Sequence, residues 1–348
     1  MTKELTCALL AIPLFAAAQN PIIRNQFTAD PTARVFNGKV YLYPSHDIMP
    51  PEGQRQDWFC MEDYHVFSSE NLTDWTDHGM IVTQNKVPWV RPNSYSMWAP
   101  DCVYLNGKYY FYFRSTPNGA MRGFGVGVAV ADKPEGPFTP MEKPIRGSFS
   151  IDPCVFKDDD GKIYTYFGGL WGGQLQWWRP LPNGLAPIFG KYGDQNELID
   201  LGAAPDHKGE LFTTADAPAI NSCVVRMSDD VQQFAEAPRA VVVLDENGEP
   251  MKAGDPHRFF EASWMHKYNG KYYFSYSTGD SHFLCYAIGD NPYGPFRYQG
   301  VILDPVVGWT THHSIVEYKG QWYLFYHDCV PSNDITHLRS LKVQRLLR

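Results

Sequence analysis

Four carboxylates and an imidazole stand at near-constant distances ahead of five glycines. Asp30, Asp101, Asp152, Glu261 and His312 precede Gly38, Gly107, Gly161, Gly270 and Gly320 by 8, 6, 9, 9 and 8 residues. Residues at one point of a repeated unit converge when the units surround an axis. Three of the five lie between apolar neighbours, in Ala29-Asp30-Pro31, Ile151-Asp152-Pro153 and Phe260-Glu261-Ala262. An unpaired carboxylate is costly to bury in such a setting. The chemistry that uses convergent carboxylates is acid–base cleavage of a glycosidic bond, in which one acid protonates the leaving oxygen and a second carboxylate activates water or attacks. Taken singly, each site has a plainer reading: Asp-Pro opens a strand, and Glu261 pairs with a nearby cation such as Arg258. Equivalent placement of all three favours the catalytic reading.

The elements that must hold these groups are β-hairpins. Five apolar runs reach a glycine turn and resume as aromatic strands: 36–43, 105–113, 156–168, 268–276 and 318–326. Four of the turns are Asn-Gly or Asp-Gly pairs, which two-residue hairpin loops prefer, and the fifth is Lys319-Gly320. A second pattern, strand then acidic turn then aromatic, recurs at 66–79, 128–138, 224–234 and 285–296 and reads as an outer hairpin. Inner plus outer hairpin makes a four-stranded antiparallel blade, and a ring of such blades is a β-propeller. The fifth unit shows one further strand, near 338–346, and a segment around 21–25 is placed to complete it. Turn glycines are spaced 69, 54, 109 and 50 residues apart. We read the long gap as an enlarged third blade, since it holds a single outer hairpin and a Gly/Pro-rich stretch around 180–193. The expectation is an all-β, five-bladed propeller forming one domain over residues 20–348, with no C-terminal β-sandwich.

Composition limits the partners. A net charge of −8 without a basic run argues against nucleic acid or an anionic membrane surface, both of which need clustered Lys and Arg. With 15% aromatic residues, Trp and Tyr are available to stack on sugar rings, although a β-rich core accounts for most of them. Residues 1–19 read as an export signal: Lys3, an apolar stretch from Cys7 to Phe15, then Ala16, Ala17 and Ala18. The apolar run is too short to span a bilayer, so a periplasmic or secreted protein without a membrane anchor is expected. Six cysteines remain after that segment, none in a CxxC pair, and their spacing is not that of a metal site. Cys102, Cys154 and Cys285 sit in apolar runs and read as small buried hydrophobes. Asp158-Asp159-Asp160-Gly161 lacks the downstream spacing of a calcium loop and reads as a solvated turn.

At these motifs the chain resembles glycoside hydrolase family 43. The matching stretches are ADPTARVFNGKVYLYPSHD in the first blade, Trp98-Ala99-Pro100-Asp101 in the second, SIDPCVF in the third, FFEASWMHKYNGKYYFSYS in the fourth and THHSIVEYKGQWYLFYH in the fifth. The resemblance implies inverting hydrolysis of pentose linkages, with Asp30 as general base, Glu261 as general acid and Asp152 tuning and orienting the acid. Inversion needs room for a water, roughly 6.5 to 9.5 Å between the Asp30 and Glu261 carboxyl groups. His312, with His313 as fallback, resembles a channel histidine often found beside calcium or another cation. No cofactor is required, and contact through water suits an imidazole better than direct ligation, since hard cations prefer oxygen. Trp98 is a candidate sugar platform, and Arg339 in HLRSLKV resembles an arginine that reaches the substrate or the acid pair. Asp101 holds the repeat position but is structural in the resemblance. The substrate implied is an arabinose- or xylose-containing plant glycan, attacked by an exo-acting α-L-arabinofuranosidase or β-xylosidase. The end of the chain directly after the fifth blade tilts this toward arabinofuranosidase. An endo-arabinanase or galactanase is the alternative within the family, and a non-catalytic carbohydrate-binding propeller the alternative outside it.

Overall fold

Five inner hairpins turn where the glycine pairs stand. In a computed structural model, which describes residues 20–118, 124–187, 215–279 and 281–346, they are flanked by β1 (Phe27–Phe36) and β2 (Lys39–Asp47), β5 (Trp98–Leu105) and β6 (Lys108–Ser115), β9 (Cys154–Lys157) and β10 (Ile163–Phe167), β16 (Phe259–Tyr268) and β17 (Lys271–Thr278), and β20 (His313–Tyr318) and β21 (Gln321–Asp328). Asn37 and Gly38 at the first turn have φ of 51° and 78°. Two successive positive φ values match the right-handed twist of the strands they join. Lys319 adopts the same conformation, φ 51°, without the side chain that favours it. The segment read as an export signal, and residues 188–214 in the long gap, fall outside the described residues.

The outer strands complete the sheets. Blade 1 adds β3 (Asp63–Ser69) and β4 (Thr76–Thr83), blade 2 adds β7 (Gly125–Ala131) and β8 (Thr139–Pro140), and blade 3 adds β13 (Cys223–Arg226) and β14 (Arg239–Ala240). The long gap holds a separate two-stranded sheet, β11 (Trp178–Leu181) with β12 (Gly184–Pro187), as an enlarged third blade requires. Blade 4 has β18 (Leu284–Gly289) and β19 (Phe296–Leu303), plus a fifth strand, β15 (Val243–Leu244), lying parallel to β19. Blade 5 has three strands, ending with β22 (Ser340–Arg345). The N-terminal segment does lie along β22, but as irregular chain. Ile22 N–H donates to Leu341 O at 2.9 Å, and the Asn20 amide bonds both the carbonyl and the N–H of Val343. Asn20 thus does with its side chain what a fourth strand would do with its backbone.

The first strands of the blades, β1, β5, β9, β16 and β20, touch in that order and close back on β1. Apolar residues fill the seams, among them Tyr43, Phe111 and Phe138 between blades 1 and 2. At the axis Arg34 crosses from blade 1 to make two hydrogen bonds to Asp101, a third to Val155 O, and to lie over the Trp264 ring at 4.4 Å. Asp101 is fully buried and also accepts the Cys102 and Val155 N–H groups. It therefore ties three blades together at the axis, a structural place for the residue that the resemblance gave as structural. The six cysteines are free and buried. The acidic turn differs from expectation: Asp158 is buried and paired with Lys267 and the Tyr272 hydroxyl, while Asp159 and Asp160 face solvent.

Candidate active site

The same irregularity opens four of the five inner hairpins. Residues 30–31, 99–100 and 262–263 each set two residues against one at the start of the first strand, a β-bulge, and in blade 3 the Gly168 N–H to Ile151 O bond gives 152–153 the same offset just ahead of β9. Asp30, Asp152 and Ala262 have φ of 48°, 56° and 60° there. Left-handed backbone is disfavoured for side-chain-bearing residues, and such strain gathers at functional sites. The bulges turn Asp30, Asp152 and Glu261 into one cavity of about 440 Å³, which His312, Arg339 and Trp98 also line. All six residues singled out by sequence therefore meet at one place.

Asp30 is surrounded by donors. Its Oδ1 accepts from Arg339 Nη1 at 2.8 Å and its Oδ2 from the Ser45 hydroxyl at 2.8 Å. His312 Nδ1 and His327 Nδ1 each stand 3.7 Å from Oδ1. Burial alone would raise the Asp30 pKa, but Arg339 first, then His312 and the Ser45 hydroxyl, outweigh it and hold it at about 2. The Asp30 N–H donates to His327 Nδ1 at 3.1 Å, and His327 Nε2 lies 3.1 Å from Thr310 O. That pair of contacts assigns the tautomer: Nδ1 bare, Nε2 protonated. Burial, then Arg339, holds the His327 pKa down at about 3, so it stays neutral.

Glu261 is in the opposite situation. Burial, then repulsion from Asp152 and Asp30, pushes its carboxyl well above the ordinary range, and Arg339 opposes only in part. Its carboxyl receives no hydrogen bond among the described residues. Arg258, the partner of the plainer reading, donates instead to Ala253 O and Phe259 O. Asp152 is raised as well, by burial and then Asp30, with His312 opposing. Its Oδ2 accepts the Ala262 N–H at 3.0 Å, which fixes the bulge carrying Glu261. Where two carboxyl environments differ this sharply, the ionised group is the base and the neutral one the acid.

His312 faces the cavity between Asp30 and Asp152, 3.7 and 3.9 Å from their oxygens. His313 points away, to Ser275 Oγ at 2.6 Å, and is fully buried. Arg339 commits its guanidinium to Asp47 through Nε and Nη2, to Asp30 through Nη1, and to Thr310. It thus reaches the base rather than the acid. Trp98 lines the wall, with one face covered by Arg114 at 3.9 Å. The more open rings at the cavity are Trp58, Trp171 and Trp309, 38%, 41% and 48% exposed. Trp178, in the third-blade insertion, is buried with its Nε1 donating to Phe149 O. Sequence reasoning missed Asp47, His327, Trp58 and Trp309. His327 stands next to last in the aromatic strand QWYLFYHD and Asp47 ends YLYPSHD, so the one available signal was a polar residue near the close of an inner hairpin.

An ionised and a protonated carboxyl facing one aromatic-walled cavity, on a five-bladed propeller, define a glycoside hydrolase working by acid–base catalysis. The chain belongs to glycosyl hydrolases family 43. That family's model matches residues 18–181. A β-xylosidase of Xylanibacter ruminicola is 56% identical over 93% of this chain and 95% of its own length. A xylosidase/arabinosidase of Bacteroides ovatus is 52% identical over 93% of each. Among solved structures, a β-xylosidase/α-arabinofuranosidase from a compost metagenome, in complex with xylotriose and in a calcium-free form, superposes with a TM-score of 0.80 at 50% identity, covering 94% of this chain and 93% of the other. A Xanthomonas citri family 43 enzyme complexed with xylotriose gives 0.81 at 46% identity, over 95% and 91%.

Proposed function

We propose that this protein is an exo-acting, inverting β-xylosidase with α-L-arabinofuranosidase activity, releasing single pentoses from the ends of xylan- or arabinoxylan-derived oligosaccharides. The observation that carries the reading is the opposed state of Asp30 and Glu261 in one cavity. Asp30, ionised, accepts a proton from the attacking water. Glu261, neutral, gives its proton to the departing oxygen. Asp152 keeps that proton on Glu261 by like-charge repulsion and holds the Ala262 N–H, so it acts on the acid without attacking the sugar. Arg339 and Ser45 keep Asp30 charged and oriented. The dual sugar specificity follows the names of the relatives, and the aromatic rim suits either pentose.

The test is hydrolysis of 4-nitrophenyl β-D-xylopyranoside and α-L-arabinofuranoside, with proton NMR of the first-formed anomer of xylose. We expect turnover of both, inversion at the anomeric carbon, and a loss of about 10²- to 10⁴-fold for Glu261→Gln on xylobiose, whose leaving group needs protonation. Retention of configuration, or unchanged xylobiose turnover in Glu261→Gln, rules the assignment out. Binding without turnover would favour a carbohydrate-binding propeller.

A calcium in the channel fits His312 only through water. Its Nδ1 faces two carboxylates, and both Asp30 oxygens already accept hydrogen bonds. Bound there, calcium would add positive charge beside Asp30 and Asp152. Residues 1–19 are proposed as a cleaved export signal placing the enzyme in the periplasm or outside the cell, which N-terminal sequencing of the mature protein tests. No helix among the described residues is long and apolar enough to cross a membrane.

A further inference from the structure

We propose a second ligand site on blade 1, outside the cavity: a site for one zinc-like divalent transition ion formed by His46, Asp63 and His65. The three side chains come from neighbouring strands, His46 from β2 and Asp63 and His65 from β3. Asp63 and His65, two apart on one strand, share a face of the sheet. One ligand atom from each lies within 4.8 Å of the other two, and among the described residues this is the one such group of His, Cys, Asp or Glu. Two imidazoles with one carboxylate is a donor set that suits zinc, cobalt, nickel or copper rather than calcium.

The surroundings match what a bound imidazole needs. His65 Nδ1 lies 3.1 Å from Asp77 Oδ1 on β4, which ties up that nitrogen and leaves Nε2 for an ion. Asp77 is in turn fixed by the Gly79 N–H at 2.7 Å. A metal-bound histidine typically gives its other N–H to a carboxylate, which orients the ring and raises its basicity. His65 also stacks on Phe67, 6.1 Å between centroids. His46 Nδ1 meets Asp63 Oδ1 at 2.6 Å. Ligands bound at about 2.0 to 2.2 Å to a tetrahedral ion stand further apart than that, so an ion would enter by parting this pair and drawing in His65. All three ligands retain some solvent access, with side-chain exposures of 18%, 16% and 18%, so an ion has an entry path and a fourth position for water.

The site sits beside the machinery without belonging to it. His46 is followed on β2 by Asp47, the anchor of Arg339. An ion joining β2 to β3 fixes the end of β2 that carries Asp47.

The experiment uses the full chain, without an added histidine tag, after chelator treatment and dialysis. Zinc uptake is followed by titration calorimetry, and cobalt uptake by visible absorption. We expect one zinc per chain, and cobalt d–d bands between about 500 and 650 nm of the intensity a four-coordinate site gives. Uptake should vanish in His46→Ala and His65→Ala, weaken about 10- to 100-fold in Asp77→Asn, which keeps every ligand, and persist in His312→Ala. Zinc should also raise the melting temperature of the parent and not of His65→Ala. No stoichiometric uptake by the parent overturns the proposal, and would mean two ordinary histidine–aspartate pairs. Uptake lost in His312→Ala but kept in His65→Ala overturns it too, by placing the ion in the channel.

Discussion

At the scale of single residues, the site is an arrangement of unequal carboxyl groups, and the inequality has consequences for stability. Asp30 has its pKa lowered from 3.8 to about 2. It therefore contributes stability that is present above pH 3.8 and is lost as the pH falls through about 2, worth about 2 kcal/mol by linkage. Glu261 is shifted the other way. Above pH 4.5 the unfolded chain releases its proton while the folded chain keeps it, so folding costs about 1.4 kcal/mol for each pH unit between the two pKa values. Glu261→Gln removes that cost. Thermal melts should show it more stable than the parent at pH 7 and indistinguishable at pH 4, and equal stability at both would mean that Glu261 is not held protonated. Arg339 presents the reverse case, because removing it leaves Asp30 and Asp47 buried without their cation. Arg339→Met should lose about 3 to 5 kcal/mol in denaturant titration. Where it still folds, the acidic limb of its kcat/KM profile should move to higher pH, since Asp30 loses the strongest of the groups that hold its pKa down.

At the scale of the element, the bulge converts a repeated hairpin into a site. Asp30 and Asp152 are themselves the left-handed residues of their bulges, a conformation aspartate tolerates better than most. In blade 4 that position passes to Ala262, and Glu261 stands one residue earlier. This offset was not legible in the sequence, because Asp152 and Glu261 both stand nine residues ahead of their glycines, and Ala-Asp-Pro and Ile-Asp-Pro mark a strand start as well as they mark a bulge. The hairpins themselves were plain, since Asn-Gly and aromatic alternation are local signals. Asp47 and His327 were hidden because their importance comes from what they face across the seam that closes the ring, 292 and 297 residues away in sequence. Gly169 belongs to the same class of hidden residue. A Cβ there would stand 2.8 Å from Ile151 Cδ1 and 3.0 Å from Glu261 Cβ. The isoleucine tip can swing aside, but the Glu261 Cβ is held by its strand. Gly169→Ala should therefore displace the acid by a few tenths of an ångström and lower kcat by about tenfold, since a shift of 1 Å costs about 100-fold. Steady-state kinetics on xylobiose, beside an unchanged circular dichroism spectrum, checks this; full activity would mean that the acid needs no such exact seat.

At the scale of the whole molecule, the ring is held by a repeated tie that accounts for part of the aromatic excess. Tyr43 on β2 donates its hydroxyl to Pro134 O, in the outer turn of blade 2. Tyr112 on β6 does the same to Val231 O in blade 3, and Tyr166 on β10 to Pro292 O in blade 4. Blade 5 returns to blade 1 through Tyr318 on β20, whose hydroxyl meets Glu70 O at 2.7 Å. The fourth seam breaks the pattern: Tyr276 turns to His257 O, because blade 5 stops at three strands and has no outer turn to offer. The acidic outer turns that recur in the sequence are thus the acceptors of the tyrosines that recur one blade earlier, a relation that neither motif reveals alone. The Tyr43, Tyr112 and Tyr166 hydroxyls are buried with their rings, and burial pushes their pKa values well above 10, so these three ties stay neutral donors throughout the working range. Tyr166→Phe keeps the ring and removes the donor, leaving Pro292 O without its tyrosine partner. Such a loss costs about 1 to 3 kcal/mol. Because the tie lies between blades 3 and 4, which bring Asp152 and Glu261 to the site, the substitution should lower the unfolding midpoint and leave the pH profile of kcat/KM in place. Tyr276→Phe, whose bond stays within its own blade, is the control for seam against blade. Equal losses in the two would mean that the tyrosines stabilise their own sheets, and that the ring is closed by apolar packing, the Arg34–Asp101 and Arg339 ion pairs and the Asn20 clasp.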